Sequence, residues 1–238
     1  MKIALIGYGK MGKAIEQIAQ QQGHEVVLRI DVNNIADFTP ENLRKADVAI
    51  EFTRPETAVE NLKKCLEAGT PVVVGTTGWL QHLEEAKACC AQYNGALFHS
   101  SNYSIGVNIF FAVNRYLAQM MSAHPQYEVR MAETHHTQKL DAPSGTAITL
   151  AEGILEQIGR KKQWVNQKAE SSDELSILSY RVDPAPGTHE IYYESAIDNI
   201  EIRHTAHSRE GFASGAVQAA AWLVGKKGIF GMSDLLGF

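Results

Sequence analysis

Lys2-Ile3-Ala4-Leu5-Ile6-Gly7-Tyr8-Gly9-Lys10-Met11-Gly12 carries a short apolar run directly into a G-x-G-x-x-G spacing, and the spacing opens an amphipathic helical pattern. In such a unit the first glycine permits the tight turn, the second lets a pyrophosphate approach the backbone, and the third lets helix and strand pack closely. Context adds to the motif. The next apolar run, residues 25–30, leads to Asp31, roughly 20 residues beyond the last glycine, where a carboxylate can accept hydrogen bonds from an adenosine ribose.

The N-terminal region keeps this rhythm. Apolar runs at 48–52, 71–74 and 96–99 alternate with helical patterns at 11–22, 55–68 and 79–93, the order of βαβ units around a parallel sheet. The runs are almost wholly apolar, as expected of strands covered by helices on both faces. After Asn102 the pattern changes. A long apolar helix is expected at 105–121, a strand at 127–133, a helix at 145–158, and strands at 175–181, 188–196 and 199–207. Ile191 and Tyr193 alternate with Glu190, Tyr192 and Glu194, so that strand buries one face, which suits an open antiparallel or mixed sheet. A helix at 210–224 is expected to return to the first domain and lead to a short tail. The fold class is therefore α/β, an N-terminal Rossmann dinucleotide-binding domain with an inserted α+β domain. The loop Asp183-Pro184-Ala185-Pro186-Gly187 reads as turn punctuation.

A chain of 238 residues, 45% hydrophobic and 21% charged, can bury a core of one large or two small domains. Its formal charge of −5 gives no general attraction to nucleic acid or anionic lipid, so an anionic ligand must be held by a local cluster. Cys65, Cys89 and Cys90 lack C-x-x-C spacing and read as reduced thiols of a cytosolic protein. The N-terminal apolar run is too short for a signal peptide, and no run approaches the roughly 20 residues that span a bilayer. The expected location is the cytoplasm.

The densest chemistry lies in Glu133-Thr134-His135-His136-Thr137-Gln138-Lys139-Leu140-Asp141-Ala142-Pro143-Ser144-Gly145-Thr146. His titrates near neutral pH, Lys supplies a cationic donor, and a Ser-Gly-Thr turn opening a helix presents backbone N–H groups to an anion. The segment reads as an acid beside a carboxylate clamp. Gly75-Thr76-Thr77-Gly78 follows another apolar strand at the carboxyl end, where open parallel sheets place their ligands, and suits a nicotinamide ribose or the substrate. Asp31 repels a 2′-phosphate and Val32 offers no cation in compensation. NADH is therefore expected to be accepted at least as well as NADPH, with Lys10 and Arg29 the cations within reach.

These residues resemble a known family, 4-hydroxy-tetrahydrodipicolinate reductase, also called dihydrodipicolinate reductase, of bacterial lysine and diaminopimelate synthesis. Its pattern is similar to E-x-H-H-x-x-K-x-D-x-P-S-G-T, and each fixed position is occupied from Glu133 to Thr146. The resemblance extends to the glycine loop, Glu51-Phe52-Thr53-Arg54-Pro55, Gly75-Thr76-Thr77-Gly78, Ser101-Asn102-Tyr103-Ser104-Ile105-Gly106-Val107-Asn108, and His204-Thr205-Ala206 with Arg209, Phe212, Gly215 and Ala216. Ser100 and Ser101 stand where family members often carry alanine, and Tyr103 where Phe is frequent.

The resemblance implies hydride transfer from NADH or NADPH to an unsaturated nitrogen heterocycle bearing two carboxylates, yielding tetrahydrodipicolinate. His135 and Lys139 fill the acid positions, and His136, Ser144, Gly145, Thr146 and Thr77 are the implied substrate contacts. For the cofactor it implies the loop Gly7, Tyr8, Gly9, Lys10, Met11 and Gly12, then Asp31, Phe52, Thr53, Gly75, Thr76 and Thr77. Ser100, Ser101, Asn102 and Tyr103 are expected at the nicotinamide carboxamide through their backbone. Glu133 is expected to fix a histidine tautomer, Asp141 to order the loop or tune a neighbour's pKa, and His204 with Arg209 to help close the cleft. Also implied are a nucleotide domain of residues 1–103 plus 208–238, a substrate-binding and oligomerisation domain of residues 104–207, a homotetramer assembled through the sheets of that second domain, and closure over the substrate.

Other classes fit part of the pattern. His135, His136 and a carboxylate are material for a zinc site, but adjacent residues on a strand face opposite sides and neither H-E-x-x-H nor a second ligand cluster appears, so no metal is expected. A dinucleotide-binding redox sensor would use the glycine loop and Asp31 but leaves the His, Lys and Ser-Gly-Thr residues without a purpose. Another two-domain dehydrogenase would differ in substrate. His99, His189 and His207 read as core or surface histidines, as does His204 apart from its place in the family-like motif.

Overall fold

The computed structural model describes residues 1–208 and 210–238, so Arg209, expected at the cleft, lies outside the described residues. Two compact units divide the chain, Met1–Ile105 with Glu210–Phe238, and Gly106–Arg209. The divisions fall after residues 105 and 209, where 103 and 207 were expected.

In the first unit, β1 (Lys2–Ile6), α1 (Lys10–Gln21), β2 (Glu25–Ile30), α2 (Pro40–Leu43), β3 (Val48–Glu51), α3 (Pro55–Glu67), β4 (Val72–Val74), α4 (Leu83–Gln92) and β5 (Ala96–His99) follow in turn. Helix α5 (Ile105–Met121) leads into the second unit, built from β6 (Glu128–His135), α6 (Gly145–Leu155), β7 (Gln163–Val165), β8 (Glu174–Arg181), β9 (Gly187–Glu194) and β10 (Asn199–Ala206). The chain returns through α7 (Glu210–Leu223), β11 (Gly228–Phe230) and α8 (Met232–Leu236).

The first sheet has the order β11-β5-β4-β3-β1-β2 and is parallel throughout. Its strands are mostly apolar because both faces are covered. Ala4, Ile6 and Ala49 pack with Ala58 and Leu62 of α3, whereas Ile3, Leu5 and Ile50 pack with Ile15 of α1 and Ala216 and Ala220 of α7. Successive β connections leave β1 toward β2 on one side and toward β3 on the other, so a crevice opens at the carboxyl ends between β1 and β3. Helix α7 lies close because Gly215 has no side chain: a Cβ there would stand 1.7 Å from the Tyr103 carbonyl oxygen.

The structure adds elements that the sequence pattern did not reveal. β11 extends the sheet beside β5, with Gly228 opposite Ala96, and α8 replaces part of the expected tail. Residues 79–93 do not form one helix. Trp79 is buried with its Nε1 donating to Thr76 O at 2.8 Å, a single 3-10 turn follows, and α4 begins at Leu83.

The second sheet has the order β10-β9-β6-β8-β7 and is mixed: β6 and β7 each run parallel to β8, and β9 antiparallel to β6 and β10. Its core joins Met131, Ile177, Ile191 and Tyr193 to Phe110 and Ala118 of α5 and Leu150 and Ile154 of α6. The three cysteines are free and buried. Among the described residues no helix is long and apolar enough to cross a membrane.

Candidate active site

Gly7 turns the chain at the end of β1 with φ +96°, and its N–H donates to Ile30 O at 2.9 Å. A Cβ on Gly7 would stand 2.0 Å from Phe52 O, and one on Gly12 would stand 2.3 Å from Gly7 O. Both glycines are therefore demanded by close backbone packing. Gly9 is different: nothing lies within 4 Å of its missing Cβ, it caps α1 without a side-chain bond, and the first turn of α1, with Lys10 and Met11, holds no acidic residue. Backbone N–H groups and the positive helix end thus face open space, as a pyrophosphate requires. A dinucleotide fits this cradle.

A cavity of about 310 Å³ is lined by the glycine loop with Tyr8, by Asp31 and Val32 beyond β2, and by Phe52 and Thr53 beyond β3. Asp31 is held by its N–H donating to Asn34 Oδ1 at 2.7 Å, while its Oδ1 accepts the Val32 N–H at 2.6 Å. Arg29, one of the two cations within reach, is engaged elsewhere. Its Nε donates to Glu16 Oε1 at 2.9 Å, its Nη2 pairs with the same oxygen, and the Tyr8 hydroxyl donates to the other oxygen of that carboxylate. The Arg29 hydrogen bond holds the Glu16 carboxyl below its ordinary range.

The turns after β3 and β4 are locked together. Thr53 N–H donates to Thr76 Oγ1 at 2.7 Å, Thr53 Oγ1 donates to Glu51, and a Cβ on Gly75 would stand 2.0 Å from the Phe52 ring. Glu51 is fully buried, and burial pushes its carboxyl up against the opposing hydrogen bonds of Thr53, Thr76 and Asn61. Thr77 is exposed. Ser100 Oγ donates to Asn102 O at 2.7 Å and accepts the Asn102 N–H at 3.2 Å, and Ser101 is exposed. Tyr103, expected beside the nicotinamide, is buried with its hydroxyl donating to Val74 O at 2.7 Å and its carbonyl covered by Gly215. Its side chain belongs to the core.

In the second unit, β6 ends at His135 and places Glu133 and His135 on one face. Glu133 is fully buried. Its carboxylate accepts the Ser144 N–H at 3.1 and 3.2 Å and Ser179 Oγ at 2.7 Å, and lies 3.5 Å from His135 Nδ1 and 3.8 Å from Arg181 Nη2. These donors compensate a charge that burial would otherwise penalise. Burial tends to raise the Glu133 carboxyl, but the bonds from Ser144 and Ser179 and the His135 charge outweigh it, leaving the group below its usual range. Burial lowers His135, and the neighbouring Glu133 opposes that shift.

His136 turns into a separate cavity of about 330 Å³ with Gln138, Asp183, Pro184 and Pro186. Lys139 Nζ donates to both oxygens of Asp141 at 2.8 and 2.9 Å, and Arg181 staples the loop by donating to Lys139 O at 3.3 Å and Asp141 O at 2.6 Å. The Lys139 hydrogen bond depresses the Asp141 carboxyl. The 183–187 loop, expected as punctuation, frames the site. Asp183 accepts from Thr137 N and Oγ1 at 3.1 and 2.5 Å, and a Cβ on Gly187 would stand 3.2 Å from His135 Nε2.

Ser144, expected as a substrate donor, is a buried cap. Its Oγ accepts the Ala147 N–H at 3.2 Å and its own N–H serves Glu133. Gly145 and Thr146 form the first turn of α6, which holds no acidic residue, and nothing lies within 4 Å of the Gly145 Cβ position. That turn is suited to an anion.

Sequence reasoning missed two neighbours of His135. The sheet register sets His189 opposite Glu133 and Arg181 opposite His135, and the His135 and His189 rings meet edge to face at 5.1 Å between centroids. Burial, then the His135 charge, lowers His189 to about 4. The sequence held a signal for this placement, since His189 is in phase with the buried Ile191 and Tyr193. His204 packs against Phe110 at 5.9 Å, His99 against Trp79 at 5.8 Å, and His207 is exposed.

Two family profiles match the chain: Dihydrodipicolinate reductase, N-terminus, over residues 1–103, and Dihydrodipicolinate reductase, C-terminus, over residues 106–236. The 4-hydroxy-tetrahydrodipicolinate reductase of Christiangramia forsetii is 47% identical over 240 residues, covering 99% of this chain and 98% of its own. The enzyme of the same name from Methanoregula boonei is 34% identical over 252 residues, covering 99% and 98%. Among solved structures, the dipicolinate-bound dihydrodipicolinate reductase from Paenisporosarcina sp. TG-14 matches with a TM-score of 0.79 at 25% identity over 98% of each chain.

Proposed function

The chain belongs to the dihydrodipicolinate reductase family, and from that premise we propose how its residues carry the NAD(P)H-dependent reduction of 4-hydroxy-tetrahydrodipicolinate to tetrahydrodipicolinate in lysine and diaminopimelate synthesis. The nicotinamide, when bound, supplies the hydride. The glycine loop and the first turn of α1 hold the pyrophosphate, and Asp31 accepts from the adenosine ribose. Phe52, Thr53, Gly75 and Thr76, with the backbone of residues 100–102, border the nicotinamide. Asp31, the exposed Val32 and the engagement of Arg29 by Glu16 favour NADH at least as strongly as NADPH.

The conversion releases the substrate's 4-hydroxyl as water, and hydride added to the resulting conjugated imine leaves negative charge along the conjugated system, which a positioned acid must quench. His135 holds that proton, oriented by Glu133, and Lys139 delivers a cationic donor to the same region, stabilising charge as it develops. His136 and the Gly145–Thr146 amides clamp a substrate carboxylate, as fits the dipicolinate-bound state of the similar reductase from Paenisporosarcina sp. TG-14. The observation that carries this reading is the fully buried Glu133 carboxylate, 3.5 Å from His135 Nδ1 and bonded to the N–H of Ser144, the residue just before Gly145 and Thr146.

The first unit is the nucleotide domain, and the second binds the heterocycle and carries the oligomer contacts. Its sheet ends in β10, an edge strand with mostly exposed residues, and such an edge invites pairing with another copy in a homotetramer. We place the enzyme in the cytoplasm, where its dinucleotide is supplied. Freshly made 4-hydroxy-tetrahydrodipicolinate, added to the protein with NADH or NADPH, tests the reading: rapid oxidation is expected, with NADH at least equal to NADPH, and no oxidation despite dinucleotide binding would overturn it.

A further inference from the structure

Glu133, His135 and His189 form a buried donor set that the reduction does not require in full. One atom from each of the three lies within 4.8 Å of the others. His135 is 8% and His189 5% exposed, and the Nδ1 atoms of both are buried without a hydrogen-bond partner. Two uncapped imidazole nitrogens beside a carboxylate are an unusual arrangement for a protein interior, where polar atoms are normally paired.

Two of the spacings are close to those of a tetrahedral ion. With metal–nitrogen bonds of about 2.05 Å, two ligand atoms on one centre stand roughly 3.3 Å apart and two ligating imidazole rings about 5 Å between centroids. Here Glu133 Oε2 stands 3.5 Å from His135 Nδ1, and the two rings stand 5.1 Å apart at 71°. The other Glu133 oxygen is held by Ser179 and Ser144, support that fixes a ligating carboxylate in place. The donor set of two imidazoles and one carboxylate selects zinc-like divalent ions over magnesium or calcium, which demand more oxygen ligands. His136 is not part of the set, so the objection that adjacent histidines diverge does not apply.

We propose that Glu133, His135 and His189 bind a zinc-class divalent cation, and that the bound ion switches the reductase off. Binding rests on geometry alone. Inhibition rests in addition on the reading of His135 as the acid: an ion on His135 Nδ1 takes the place of the proton that Glu133 orients there, so the ring cannot become the imidazolium that donates from Nε2. Three protein ligands leave one tetrahedral position for water or a carboxylate.

The test titrates Zn2+ alone into ligand-free protein by calorimetry, with Mg2+ as comparator, for the parent, His189→Gln, Glu133→Gln and the surface control His82→Gln. Because the dicarboxylate substrate itself chelates, unbound ion is removed before turnover is measured. Expected are one Zn2+ per chain, no Mg2+ uptake, retention in His82→Gln, and affinity lowered by at least about 100-fold in His189→Gln and Glu133→Gln, a ligand counting for more than a residue that only supports one. Zinc-edge anomalous scattering from crystals of the parent should place the ion between the three residues, which keeps the test decisive if a variant fails to fold. Absence of saturable binding, or an anomalous peak elsewhere, overturns the site. A peak at this site with undiminished turnover overturns inhibition, and with it the assignment of His135 as acid, while leaving the site standing.

Discussion

The nucleotide crevice and the His-Lys segment reach their chemistry by opposite means. In the crevice the decisive residues are those with no side chain: Gly7, Gly12 and Gly75 each sit where a Cβ would fall within 2.3 Å of a neighbouring atom, and nothing lies within 4 Å of the Gly9 Cβ position. Around His135 the decisive feature is a network centred on one side chain, with Ser179 Oγ, the Ser144 N–H and Arg181 all meeting at the Glu133 carboxylate. The first site is vulnerable to added atoms and the second to removed ones.

The sharpest way to break that contrast is a pair of substitutions in one loop. Gly12→Ala forces a methyl against the Gly7 carbonyl, so it should cost stability, roughly 1–3 kcal/mol by denaturant unfolding, and abolish tight dinucleotide binding. Gly9→Ala meets no protein atom and should leave stability within about 0.5 kcal/mol, while lowering dinucleotide affinity by roughly 100-fold, about 2.7 kcal/mol. Equal effects at the two positions would refute the division of roles. Next in size, Asp31→Ala removes a charged acceptor from the ribose, and the NADH to NADPH affinity ratio should fall by about 10-fold or more. An unchanged ratio would remove Asp31 from the site.

The smallest effect concerns Glu51, whose carboxyl is raised above its ordinary value of 4.5 by burial. For an acid raised in the fold, the stabilising contribution is complete below the unfolded value and is lost as pH rises through the folded one. Glu51→Gln removes this titration. The unfolding midpoint of the variant, relative to the parent, should therefore climb as pH rises from acid to neutral. A difference independent of pH would show that Glu51 does not titrate in this way.

The glycine loop and the His-Lys segment were legible because their chemistry is contiguous in sequence. The elements that escaped notice depend on distant partners or are too short to show a period. β11 and β7 have three residues each, and β11 exists because Gly228 lies beside Ala96, a pairing that no local pattern reports. His189 and Arg181 become neighbours of His135 only because β6 is flanked by β9 and β8, and strand order is not written in alternation. Ser144 and Tyr103 show the converse. Both lie in motifs that suggest ligand contact, by the backbone in the case of Tyr103, and the structure adds that the Ser144 hydroxyl caps α6 and the Tyr103 side chain lies in the core.

On the proposed function, proton delivery belongs to the second unit and dinucleotide binding to the first. This division is tested most directly by measuring kcat and dinucleotide Kd together for the parent, His135→Gln and Lys139→Ala. The expected result is a kcat lower by about 10²–10⁴-fold in each variant with Kd unchanged. Retained turnover in His135→Gln, or loss of turnover accompanied by an equal loss of dinucleotide affinity, would contradict it.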